Sequence, residues 1–177
     1  MKRSILKWEL VGIVVISILG SVLHFAFEWS GNREPVGVIA AVNESVWEHF
    51  KIAFWPALFY AIFEYQFFRR FTNNFMIAKV TGIYVMPIAI AILFYSYTAA
   101  LGEEILVVDI LIFVIAVALG QLTSYKMLTI RRLPQWSGKV GLVLVIVLAI
   151  AFGVFTFYPP HLPVFRDAAT GAYGIVK

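Results

Sequence analysis

Five long apolar stretches, at 8–29, 45–68, 75–101, 105–128 and 140–158, take up most of the chain. Each reaches the roughly 20 residues that a helix needs to cross a bilayer core. A soluble domain carries about 45–50% apolar and about 25% charged residues. Here 62% of 177 residues are hydrophobic and only 14% charged, which excludes a soluble fold. Membrane barrels show alternating segments of about ten residues, and these runs are too long and too continuous for that. An aromatic content of 16% and the absence of cysteine exclude a disordered chain, a disulfide scaffold and thiolate chemistry. The expectation is an all-α integral membrane bundle of five transmembrane helices in one domain, 1–177, multi-pass in the cell membrane, with the tail 159–177 outside it.

The first stretch follows Lys2, Arg3 and Lys7 but ends in HFAFEW, with no small-residue cleavage site. That reads as a retained anchor helix rather than a signal peptide. Basic residues in short loops set orientation. Lys2, Arg3, Lys7, Arg69, Arg70, Lys79, Lys126, Arg131, Arg132 and Lys139 all map to one side, leaving Arg33, Lys51, Arg166 and Lys177 for the other. The N-terminus is therefore expected inside and the C-terminus outside, and the net charge of +4 reads as topology rather than as a nucleic-acid footprint. The acids sort the opposite way. Glu28, Glu34, Glu44, Glu48, Glu103, Glu104, Asp109 and Asp167 fall in the outer half, with all three histidines, His24, His49 and His161. Acids contribute little to orientation, so this clustering points to function.

In the first stretch Ser17, Gly20, Ser21, His24 and Glu28 recur at helical spacing and share a face. Small residues there suit close helix packing. His24 has two open readings: a buried hydrogen-bonded histidine, or, with Glu28 at i, i+4, a metal or proton site. The second stretch opens with Asn-Glu-Ser-Val-Trp-Glu-His at 43–49, in which Ser45 and Glu48 match a capping box. At about 100° per residue, Glu44, Ser45, Glu48 and His49 fall within one arc of about 140°. Glu64 is expected to pair with Arg69 or Arg70 at the inner rim, and Glu103 and Glu104 to be solvated acids at a helix start. Asp109 is costly at its depth without a partner, so it should face the bundle and either join a site or accept a hydroxyl from the third helix. After Pro159 and Pro160 the tail, with Asp167 to Tyr173 reading as a glycine turn, is expected to fold back and bring His161 towards His24 and His49.

The segments NESVWEHFK and PPHLPVFRD-x-x-TG-x-YGI resemble those of a family of small polytopic membrane proteins with a domain of unknown function, over essentially the whole chain. The resemblance implies a multi-helix membrane fold and supplies no activity. In addition, Ser45-x-x-x-His49 and Asp109 are similar in kind to elements of the alkaline ceramidase and adiponectin-receptor superfamily of zinc-dependent membrane hydrolases. That superfamily's late His-x-x-x-His pair is missing here, and five spans replace its seven.

Three function classes follow. The first is a metal site, Zn²⁺ or a similar ion, held by His24, His49 and His161 with Glu28 or Asp109 as carboxylate. Glu44, Glu48 and Ser45 would be its catalytic groups, and the reaction the hydrolysis of a lipid-like substrate entering from the bilayer. The second is a cation- or proton-coupled transporter or sensor, and the third a structural subunit; haem held by two histidines is also open. The partners implied are the lipid bilayer and a lipid or small-molecule ligand, without nucleic acid; the sequence does not set the oligomeric state.

Overall fold

The computed structural model describes residues 2–175. Met1, Val176 and Lys177, at the ends of the expected domain, lie outside the described residues. The chain is all-helical: α1 (Lys2–Trp29), α2 (Glu34–Gly37), α3 (Val46–Phe68), α4 (Phe75–Leu101), α5 (Leu106–Thr129) and α6 (Trp136–Phe157), then a single 3₁₀ turn at Pro163–Phe165. The described residues form no β-strand, and Arg166 and Tyr173 make one isolated antiparallel bridge. The five long helices coincide with the five apolar stretches. The short α2 is additional, started by Pro35 in its first turn. Helix α1 starts at Lys2 rather than near residue 8, because an exposed helix turn can carry Lys2, Arg3 and Lys7 in solvent.

Four helices, α1, α4, α5 and α6, are long and apolar enough to cross a membrane. Helix α3 differs in carrying Glu48, Lys51 and Glu64, all buried. Helices α1, α3, α4 and α5 close a ring in which each packs on the next and α5 returns to α1, while α6 leans on α4. Apolar residues such as Leu10, Ile18, Ile92, Ile110 and Ile150 point outwards and are exposed, as a bundle that faces lipid requires. The interior holds Ile16, Phe54, Met86, Val117 and Phe152.

Small residues set how closely the ring closes. A Cβ on Gly82 would lie 2.6 Å from the Gly120 carbonyl, and one on Gly120 would lie 2.7 Å from the Gly82 carbonyl. The α4 and α5 backbones therefore touch directly, as small residues permit in membrane bundles. A Cβ on Gly20 would sit 3.0 Å from the Ile52 carbonyl, which brings α1 onto α3 just below His24.

The start of α3 is fastened from several directions. Ser45 caps the helix, its hydroxyl accepting the Glu48 N–H at 3.4 Å. Glu48 accepts the Val42 N–H at 3.0 Å and pairs with Lys51 at 2.5 Å. Lys51 completes its donors on the Gly37 carbonyl (2.6 Å) and the Thr156 hydroxyl (2.9 Å), joining α2, α3 and α6. The tail reaches the same entrance. Phe165 is buried with its ring 4.7 Å from that of Trp47, Asp167 accepts the Glu44 N–H at 2.9 Å, and Asn43 donates to the Gly174 carbonyl at 2.8 Å.

Candidate functional site

The loop before α3 crosses α1 at the level of Leu23, whose carbonyl accepts the Ala41 N–H at 3.2 Å. That crossing brings Glu44 against His24, and the first turn of α3 adds His49. The Glu44 carboxylate oxygen Oε2 lies 3.3 Å from His24 Nε2 and 3.9 Å from His49 Nε2. The two imidazoles meet edge to face, with centroids 5.4 Å apart. One potential ligand atom from each of His24, Glu44 and His49 lies within 4.8 Å of the others.

Hydrogen bonding fixes what this trio presents. His49 Nδ1 lies 2.9 Å from the Ser45 carbonyl. A carbonyl only accepts, so Nδ1 carries the proton and donates; when the ring is neutral, the lone pair of Nε2 is what faces Glu44. Two electron-pair donors face each other there, an arrangement that calls for a proton or a cation between them. The hydrogen bond with His24 holds the Glu44 carboxyl below the usual carboxylate range, against its partial burial.

The trio lines a cavity of about 720 Å³ walled by α1, α3, α4, α5 and the tail. Ser17 and Ser21 line it on α1, and Asp109 and Glu104 add carboxylates from α5 and the loop before it. The rest of the wall is apolar and includes Leu106, Ile110, Phe113 and Val114. Leu106, Ile110 and Val114 are exposed, so this part of the cavity wall is open rather than sealed within the bundle. Burial, with the charges of Asp109 and Glu44, pushes the Glu104 carboxyl up from its ordinary value. A second, more polar cavity of about 520 Å³ shares Glu44 and Glu104 with the first and is walled by the tail, including Arg166 and Thr170.

The structure brings together only part of the set expected from the sequence. His24 and His49 meet, and the carboxylate between them is Glu44, expected as a catalytic group rather than a ligand. Glu28 is exposed one turn beyond His24, above the level at which the loop crosses. His161 is also exposed and does not join the histidines: anchoring of the tail through Phe165 and Asp167 leaves its ring on Tyr173, 4.6 Å away. Ser45 and Glu48 are consumed by the cap and the Lys51 pair, and neither lines the cavity. Asp109 accepts the Tyr97 hydroxyl at 2.6 Å, a partner on the third long helix, while still lining the cavity. Of the Ser45-x-x-x-His49 element and Asp109, only His49 enters the trio.

Two of the outer acids take roles that the sequence does not specify. Glu104 was read as a solvated cap, and nothing in its neighbours indicates that it lines a cavity. Asp167 supports the site from behind, holding the Glu44 backbone. Burial acts to raise its carboxyl, but bonds from the Thr170 hydroxyl and from the N–H groups of Glu44 and Thr170 outweigh this and hold it below its usual range.

No curated protein and no solved structure matches the chain. A family model does, over residues 1–175, and the chain belongs to that family, the Family of unknown function (DUF6512).

Proposed function

We propose that this is a five-span membrane protein whose His24, Glu44 and His49 bind a zinc-like divalent cation at its outer face, serving hydrolysis of a lipid-like substrate. One observation carries the reading: Nε2 of His49 and the Glu44 carboxylate converge with His24 on the wall of a largely apolar cavity. Two imidazoles and a carboxylate are a ligand set used by catalytic zinc, which keeps a further position open. Such an ion supplies Lewis acidity and brings the pKa of a coordinated water to about 7. Glu104 and Asp109, in the same cavity, are the carboxylates available to take up a proton. The apolar wall between α1 and α5 suits a chain-bearing substrate that arrives from the bilayer.

The test is metal content. Protein purified without a histidine tag should carry about one zinc-like ion per chain, and His24→Ala, Glu44→Ala and His49→Ala should each lose it while remaining folded. A metal-free, well-folded wild type that takes up no zinc on titration overturns the reading and leaves the trio as a hydrogen-bonded clasp. The span count and the orientation, N-terminus inside and C-terminus outside, are tested separately. The chain has no cysteine, so single cysteines introduced at positions 7 and 168 should label from opposite sides of the membrane.

A further inference from the structure

The opposite half of the bundle holds a second ionisable group, independent of the trio. Glu9 of α1, Glu64 of α3 and Lys79 of α4 meet inside the ring, with side chains 0%, 3% and 5% exposed. Lys79 Nζ lies 2.5 Å from Glu9 Oε1 and also touches Glu64 Oε2. The Ser124 hydroxyl of α5 donates to the same Glu9 Oε1 at 3.2 Å, and Gln121 lies 3.5 Å from the Glu9 backbone carbonyl. Glu9 Oε2 is enclosed and meets no hydrogen-bond donor. The expected partners of Glu64, Arg69 and Arg70, are not its partners; Arg69 lies over the Tyr65 ring. Tyr60 is the other titratable side chain nearby, and its hydroxyl donates to the Trp8 carbonyl at 2.7 Å.

The charges do not balance. One ammonium faces two carboxylates, so full ionisation would bury a net negative charge among apolar helices, at a cost of several kcal/mol. Two carboxylates that share a site do not both stay ionised readily. A metal cation would need a shell of oxygens, and Lys79 already occupies one oxygen of each carboxylate. A proton needs only the carboxylate pair.

We infer that Glu9, Glu64 and Lys79 form an intramembrane proton-binding site that holds one proton on its two carboxyl groups. The site lies where an ionisable group in a membrane bundle ordinarily marks function, and it gives the protein an exchangeable proton far from the His24 trio.

Infrared spectroscopy of the protein in lipid, with Glu9→Gln and Glu64→Gln, tests this. The wild type at neutral pH should show a protonated-carboxyl C=O band that shifts on exchange into D₂O. An amide is a near copy of a protonated carboxyl, so at least one of the two variants should unfold at the wild-type temperature, and in that variant the band should be lost. The inference is overturned if the wild type lacks the band, if the band survives in both variants, or if both variants fail to fold. It is also overturned, in favour of a metal cation, if the band emerges only when sodium and potassium are withdrawn.

Discussion

Two groups of ionisable side chains grow out of the same nine residues, 43–51, and they are opposites. Glu48 and Lys51 turn inwards, are almost wholly buried, and find a partner for each donor of the ammonium group. Glu44 and His49 turn towards α1 and the cavity; Glu44 is 51% exposed, and Nε2 of His49 faces it at 3.9 Å. The first group is closed to anything further. The second has unspent capacity for a proton or a cation. Residue type does not separate them, since each contains a glutamate and a basic side chain. Saturation does.

The sharpest way to break the contrast is to remove one partner of the closed group. Lys51→Met leaves the Glu48 carboxylate buried without its counter-ion, and should cost about 3–5 kcal/mol. Thermal unfolding in detergent, followed by circular dichroism, would show it; a loss below about 1 kcal/mol would mean that the inner group is not a structural clamp. Next comes Asp167→Ala, which deprives the Glu44 N–H of a charged acceptor worth about 1.5–3 kcal/mol. If Asp167 positions Glu44, zinc affinity in the same variant should fall by about 10–100-fold, the usual effect of losing a supporting contact. Titration calorimetry reads this directly, and unchanged affinity would detach the tail from the site.

Smaller still in stability, and opposite in kind, are His24→Ala and His49→Ala. Partly exposed pairs contribute about 0–1 kcal/mol, so both variants should stay folded with little change in unfolding temperature while losing the metal. A large destabilisation would move the trio into the structural class with Glu48 and Lys51. His161→Ala should do least, leaving both metal content and unfolding temperature as in the wild type; loss of metal there would restore His161 to the site.

The helices were legible because their cause is local. Long apolar stretches have few alternatives, and the observed boundaries differ mainly where charged ends such as Lys2 to Lys7 can extend a helix into solvent. The cap at Ser45 was legible for the same reason. Partnerships were not. Glu44 and Asp167 are 123 residues apart, and Glu9 and Lys79 are 70 apart, so only packing reveals them. The helical arc of 43–49 placed Glu44, Ser45, Glu48 and His49 together, but Glu44 precedes the helix and follows the loop instead, towards His24. Lys51 drew little notice as a lone basic residue on the outer side, yet it decides the role of Glu48. Lys79, counted with the inner loop, lies one turn inside α4 and takes Glu64 away from the arginines at the rim.

The bond from the Glu44 N–H to Asp167 also has a consequence in time. Asp167 follows every long helix in the chain, so the residue that braces the Glu44 peptide is made after all of them. The helices belong to an early stage of synthesis, and the finished trio, with the cavity wall at Ala168 and Ala169, to a late one. A chain truncated before Asp167 would therefore carry every long helix with the Glu44 peptide still unbraced.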